Sequence, residues 1–261
     1  MREAIAVGFY PENKNELEKM VRNFIVKSTK KPIGAIVPHA GYIYSGSVAG
    51  AVFSQKTDKK NFILLGPNHT GNGLPISVSD EDWSTPLGVV KINHEFVNKL
   101  KNFIDKDAHV YEHSLEVQLP FLQVIYGSAF SIVPIAFQHI EYDLLKQFAD
   151  KIIDKNSFYI ASSDFTHFGP NYGYEPVSEH AVDWVKKTDE KLIELICKLK
   201  AEEFYNTVIE NNYTVCGYIP ITLLMIIMKK IGAKGNLINY KTSYDVFPNN
   251  SFVGYAGIVF E

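Results

Sequence analysis

The sequence predicts an α/β fold: a central, mostly parallel or mixed sheet with helices on both faces. Short, unbroken apolar runs alternate with helically spaced segments, as expected of strands buried between crossover helices. The chain has 261 residues, 46% of them apolar, and no repeat or Pro/Gly/Ser-rich linker divides it, so one domain over 1–261 is expected. A core of that size needs no disulfide.

The first helix is expected over 15–25, where Leu17, Met20, Val21, Phe24 and Ile25 share a face and Asn13 or Asn15 can cap the start. Residues 33–37 are a β-rich run that stops at Pro38-His39-Ala40-Gly41, a turn sequence. Small residues over 45–51 predict a helix packed tightly on the sheet. A second strand over 61–65 stops at Gly66-Pro67-Asn68-His69-Thr70-Gly71. Helices follow over 93–103 and 112–125, the second with a kink or late start at Pro120. Next come a strand over 131–136 and a helix over 142–153. The strand over 158–161 runs into Ser162-Ser163-Asp164-Phe165-Thr166-His167-Phe168-Gly169. Helices over 181–197, 201–210 and 220–231 precede two last strands, 237–241 and 253–260, close enough in sequence to pair antiparallel.

The formal net charge is −3, and only Arg2 and Arg22 are arginine. With no basic stripe and little Arg for bidentate contacts, nucleic-acid binding has no footprint. The two cysteines, Cys197 and Cys216, make no secreted disulfide framework. The start of the chain reads as neither a signal peptide nor a membrane span, and the apolar stretch 219–228 is too short to cross a bilayer. A cytoplasmic protein is expected. No GxGxxG, GxxxxGK[ST], HExxH or GxSxG motif is present, so those routes to nucleotide binding and hydrolysis lose support.

Three apolar strands each end in a loop that carries a histidine: His39, His69 and His167. In open α/β sheets ligands bind beyond the carboxyl ends of the strands, so parallel strands would bring the three together. His39 and His69 can be ligands or turn residues. Asp164, three residues before His167, can orient and charge-stabilise the imidazole, or cap a helix. His113 and Glu116, three apart in the expected helix 112–125, share a face that could bind a hydroxyl or move a proton; an ordinary helix start explains them equally. Cys216, before Gly217 and Pro220, could be a thiolate at a helix N-terminus; a buried free cysteine is the commoner reading. Tyr42 and Tyr44 could line a pocket mouth.

Taken together, Gly8-Phe9-Tyr10-Pro11, Pro38-His39-Ala40-Gly41-Tyr42, Gly66-Pro67-Asn68-His69, Glu112-His113-Ser114-Leu115-Glu116, Ser162-Ser163-Asp164-Phe165 and Cys216-Gly217 resemble the MEMO family over nearly the whole chain, in that family's order. MEMO proteins are similar in fold to the class III, LigB-type extradiol dioxygenases, which use non-haem Fe(II). The resemblance implies a metal held by His39, His69 and Cys216. It also implies acid/base work for His167 and a pocket lined by Asp164, His113 and Glu116. The dioxygenases use two His and one Glu, whereas Cys216 stands in the third place here. A thiolate is softer, which admits copper or zinc beside iron, and is oxidisable near O₂. Relatives often accompany AMMECR-type and radical-SAM proteins, which suggests a shared pathway. Three functions follow as expectations: a non-haem metal-dependent oxidoreductase of a small molecule, a non-catalytic module that binds a peptide or protein through a vestigial pocket, and a metal-assisted hydrolase.

Overall fold

In a computed structural model that describes residues 1–26, 28 and 31–261, the apolar runs form a ten-stranded mixed sheet with helices on both faces. The chain opens with α1 (Lys14–Phe24), β1 (Gly34–Val37), α2 (Tyr42–Phe53) and β2 (Asn61–Pro67). Three short strands follow, β3 (Ile76–Val78), β4 (Trp83–Thr85) and β5 (Gly88–Ile92), then α3 (His94–Lys99) and α4 (Leu119–Tyr126). Next are β6 (Ser131–Phe137), α5 (Tyr142–Ile152), β7 (Ser157–Ser162) and the two-residue β8 (His167–Phe168). The chain closes with α6 (Ala181–Cys197), α7 (Ala201–Glu210), α8 (Tyr218–Ile231), β9 (Gly235–Thr242) and β10 (Phe252–Phe260).

The strand order is β4-β5-β6-β2-β7-β1-β10-β8, with β3 on β6 and β9 on β10. Strands β5, β6, β2, β7 and β1 pair in parallel, whereas β10 pairs antiparallel with β1, β8 and β9. The central run β2-β7-β1 matters most, because three parallel neighbours put three loops side by side at one edge. Strand β10 is buried along its whole length, as is β7, which explains their unbroken apolar sequence.

Helix α8 accounts for the longest apolar stretch. It lies against β1, β2 and β7, with α5 and α7 outside it, so Ile219 to Met228 are buried all round. No helix among the described residues is long and apolar enough to cross a membrane. Asn13 is the cap of α1, accepting from the Asn15 and Glu16 N–H groups. Helix α2 packs on the sheet as expected, against β9, β10 and β1, and its small residues also admit α1. Val48 and Val52 pack toward the sheet at Gly257, but Gly46 and Gly50 face Phe24 of α1. A Cβ at Gly50 would lie 2.4 Å from the Phe24 Cβ.

The expected helices 93–103 and 112–125 are both shorter. The first breaks after Lys99 into a 3₁₀ turn, and the second begins only at Leu119, after a 3₁₀ turn over Glu116–Gln118. The cause in the second case is local. The Glu112 carboxylate accepts the Ser114 N–H (2.8 Å) and the His69 N–H (2.6 Å), which diverts the backbone from helix. Strands β3, β4, β5 and β8 were not expected; β3, β4 and β8 are too short to show a period, and β5 (GVVKI) is mostly exposed and lacks the apolar run of the central strands.

The segment before α1 is pinned by a buried ion pair. Arg2 Nη1 meets Glu116 Oε2 at 2.5 Å, with both side chains almost wholly covered. Arg2 also donates to the carbonyls of His109 and Glu112 (both 2.6 Å) and lies over the Trp83 ring. Glu116 further accepts from Ile5 N–H, Ala6 N–H and the Tyr10 hydroxyl.

Asp189 of α6 is fully buried and accepts from Thr166 N–H (3.2 Å), Thr166 Oγ–H (2.5 Å) and Tyr240 Oη–H (2.7 Å). Burial raises its pKa from 3.8 to about 6, with the hydrogen bonds pulling the other way. A folded pKa above the unfolded one means stability that is full below about pH 4 and lost as the pH rises through about 6. The difference corresponds to about 3 kcal/mol. Asp189→Asn keeps the shape without the charge. Its urea-denaturation stability should therefore fall less than the parent's between pH 4 and 6, by up to about that amount; parallel curves would refute this.

Candidate metal centre

His39 follows β1, His69 follows β2 and Asp164 follows β7, so the order β2-β7-β1 gathers them at the carboxyl edge of the sheet. Cys216 reaches the same place from the loop between α7 and α8. Gly217 permits that approach, since a Cβ there would sit 2.5 Å from Ser163 Cβ and 2.6 Å from Ser162 O. Its N–H donates to Ser163 Oγ at 3.0 Å and holds the loop down. Ligating atoms of His39, His69 and Cys216 lie within 4.8 Å of one another, and Cys216 Sγ is 3.3 Å from His39 Nε2.

Hydrogen bonding fixes which nitrogen each histidine presents. Ser162 Oγ donates to Ser114 O (2.6 Å), so toward His39 Nδ1 (3.0 Å) it can only accept. Gln118 Nε2 donates to the same Ser162 oxygen (2.9 Å). His39 therefore carries its proton on Nδ1 and turns Nε2 to the centre. His69 Nδ1 meets Glu112 Oε1 at 3.0 Å, and a carboxylate only accepts, so Nε2 is again the free atom. This is the carboxylate–histidine arrangement that orients metal-binding imidazoles.

The electrostatics agree. Burial, then the neighbouring His69, His113 and His167, holds His39 well below 6.5, so its ring is neutral. Burial also opposes protonation of His69, yet the bonds to Cys216 and Glu112 carry it up to about 10. Burial raises the Cys216 thiol. Without a cation, the His69–Cys216 contact thus keeps a proton that a metal would displace, so uptake should release protons. Burial disfavours the Glu112 carboxylate, but His69 and the Ser114 N–H draw it down to about 2.

Two of the three donors, His39 and His69, open onto a cleft of about 370 Å³. His39, His69, His113, Asp164 and His167 line it, with Phe9, Tyr44, Tyr172, Phe247 and Tyr255 among the aromatic walls. Burial lowers His113 to about 4, and its ring lies between Phe9 and His69, at centroid distances of 4.1 and 5.0 Å. His69, Glu112 and His113 form a second close group around the same ring.

Two expectations about these side chains are corrected. Glu116 does not share a helix face with His113 and is absent from the cleft wall; its carboxylate turns to Arg2 and Tyr10 because residues 112–118 are not one helix. Asp164 makes no hydrogen bond to His167. Its Oδ1 accepts the N–H groups of His39 (2.8 Å) and Ala40 (3.3 Å), while His167 Nδ1 is met by the carbonyls of Phe165 and Thr214, both at 2.9 Å. Asp164 thus shapes the His39 turn, and burial raises its pKa. Of the two tyrosines expected at the mouth, Tyr44 lines the cleft; Tyr42 is buried and donates to Val117 O. Sequence reading passed over Glu112, Ser162 and Thr214. For Glu112 a signal existed: a carboxylate beside His113, in the one segment rich in both residue types.

Glu112→Gln should weaken metal binding about 10–100-fold, because the amide no longer fixes the His69 ring through a charged bond. Competition against a chelator of known affinity measures it, with Glu95→Gln, far out on α3, as control.

These features define a class: a mixed α/β protein whose parallel core presents a histidine–cysteine donor set at its carboxyl edge. The family model for Memo-like proteins matches residues 2–259. A MEMO1 family protein of Archaeoglobus fulgidus is 38% identical over 266 residues, covering 98% of this chain and 97% of the relative. One from Aquifex aeolicus is 39% identical over 271 residues, covering 98% and 97%. Another, from Thermoplasma volcanium, is 39% identical over 270 residues, covering 98% and 96%. The chain belongs to the MEMO family.

Proposed function

We propose that this protein is a metal-dependent oxidoreductase of the non-haem type, acting on a small molecule in the cleft. His39, His69 and Cys216 hold the metal. The observation that carries this reading is the pair of fixed imidazoles, each with Nδ1 engaged by a dedicated partner and Nε2 aimed at the Cys216 thiol. Such a donor set suits iron, copper or zinc, and iron is the first assignment.

When bound, the metal supplies Lewis-acid and redox chemistry that no side chain here can provide. The chain's own residues do the rest. Glu112 and Ser162 orient the ligands, and the loss of the Cys216 proton gives the thiolate. His167, whose Nδ1 faces two carbonyl oxygens, must carry its proton there, so Nε2 is left to accept one from a molecule in the cleft. Burial keeps His113, on the same cleft wall, neutral.

The exposed Phe247 (63%) and Tyr172 (44%) on the cleft rim favour a second reading, a binding module for a peptide. Elemental analysis of protein purified without chelator is the first test, with about one metal per chain expected. Oxygen consumption by the iron-loaded protein over a panel of small reductants is the second. Stoichiometric metal with no turnover in any state would transfer the assignment to the binding module, and absence of metal would refute the site itself.

A further inference from the structure

Thr214 sits two residues before Cys216, in the loop between α7 and α8, and makes three hydrogen bonds to a single residue. Its Oγ accepts the His167 N–H at 2.9 Å and donates to His167 O at 2.8 Å. Its carbonyl accepts from His167 Nδ1 at 2.9 Å. The backbone and the ring of His167 are thus both referred to one threonine. Strand β8, which contains His167, is only two residues long and pairs through one edge, so pairing alone holds it weakly. On its other side, Thr166 is anchored by Asp189 through its N–H and its hydroxyl. A valine would fill the same volume at 214 but could neither accept the N–H nor donate to the carbonyl.

We propose that Thr214 is a positioning residue: its clamp locks His167 as the Nδ1–H tautomer with Nε2 presented to the cleft. The proposal rests on the reading of His167 as the group that takes a proton, but it concerns the metal-free chain and stands apart from the metal assignment.

The test is histidine-ring ¹⁵N spectroscopy of labelled, metal-free protein, with His167→Ala identifying the signals. Wild type and Thr214→Ser should show His167 as a single Nδ1–H tautomer. Thr214→Val loses both hydroxyl bonds to the His167 backbone, so the loop is released and its 214 carbonyl leaves the ring, while the Phe165 carbonyl stays; the tautomer ratio should shift about fivefold toward Nε2–H, the effect of that one ring bond of about 1 kcal/mol. Zinc stoichiometry, measured in parallel, should be the same in all three, so that failure of the metal site and failure of the clamp read out separately. An Nε2–H tautomer in wild type would overturn the proposal without any variant. So would a Thr214→Val spectrum that superposes on wild type, and Thr214→Ala serves in its place if the valine chain does not fold.

Discussion

Cys216→Ala is expected to reduce metal affinity on the order of 10²–10³-fold, which in practice means protein purified without metal. Binding energies of structural zinc sites, roughly 10–16 kcal/mol for four ligands, imply about 2.5–4 kcal/mol for each. His39→Ala should do the same, since its Nε2 lies 3.3 Å from the thiol and its Nδ1 is already committed to Ser162. Neither change should unfold the chain, because the carboxyl edge is held by Ser162, Ser163 and Gln118 through bonds that survive both. Elemental analysis beside circular dichroism checks the pair of expectations. Full metal content in Cys216→Ala would place the ion elsewhere, with the group His69, Glu112 and His113 the next donor set to examine.

Arg2→Met should cost about 3–5 kcal/mol. The loss is larger than the ion pair's own net contribution. Removing the guanidinium leaves the Glu116 carboxylate buried without a cation, facing only Ile5 N–H, Ala6 N–H and Tyr10. It also frees the carbonyls of His109 and Glu112, so the residue that aligns His69 loses its backbone support. Adding Glu116→Gln to Arg2→Met should restore part of the loss, since no unpaired charge remains. Urea denaturation of the two variants tests this, and a double variant no more stable than Arg2→Met would show that shape rather than charge sets the cost.

The positions of the strand ends were readable because a parallel core writes itself as unbroken apolar runs, and each run here stops at turn residues. That is why the sequence alone brings His39, His69 and His167 to one edge, and all three line the cleft. What failed was local conformation under side-chain control. Residues 112–118 have helical spacing, yet Glu112 captures the N–H groups of Ser114 and His69 and leaves Glu116 on a different side from His113. The Arg2–Glu116 pair joins residues 114 apart, a pairing that no local pattern encodes. Cys216 looked like an ordinary buried cysteine because its partners, His39 and Asp164, are 177 and 52 positions away. Both readings of Asp164, as a partner of His167 and as a helix cap, fail, since its oxygen is taken by the His39 and Ala40 N–H groups beyond the adjacent strand β1, 125 and 124 positions away in sequence.

The three donors belong to three separate stretches of chain, two on sheet loops and one on the loop ahead of α8. An ion held between them would act as a removable cross-link, tying the amino-terminal third of the chain to its carboxyl-terminal quarter. At free metal about 100 times the dissociation constant, such a tie adds about 2.7 kcal/mol to the stability of the folded state. Metal supply would then govern how long the protein survives in the presence of proteases.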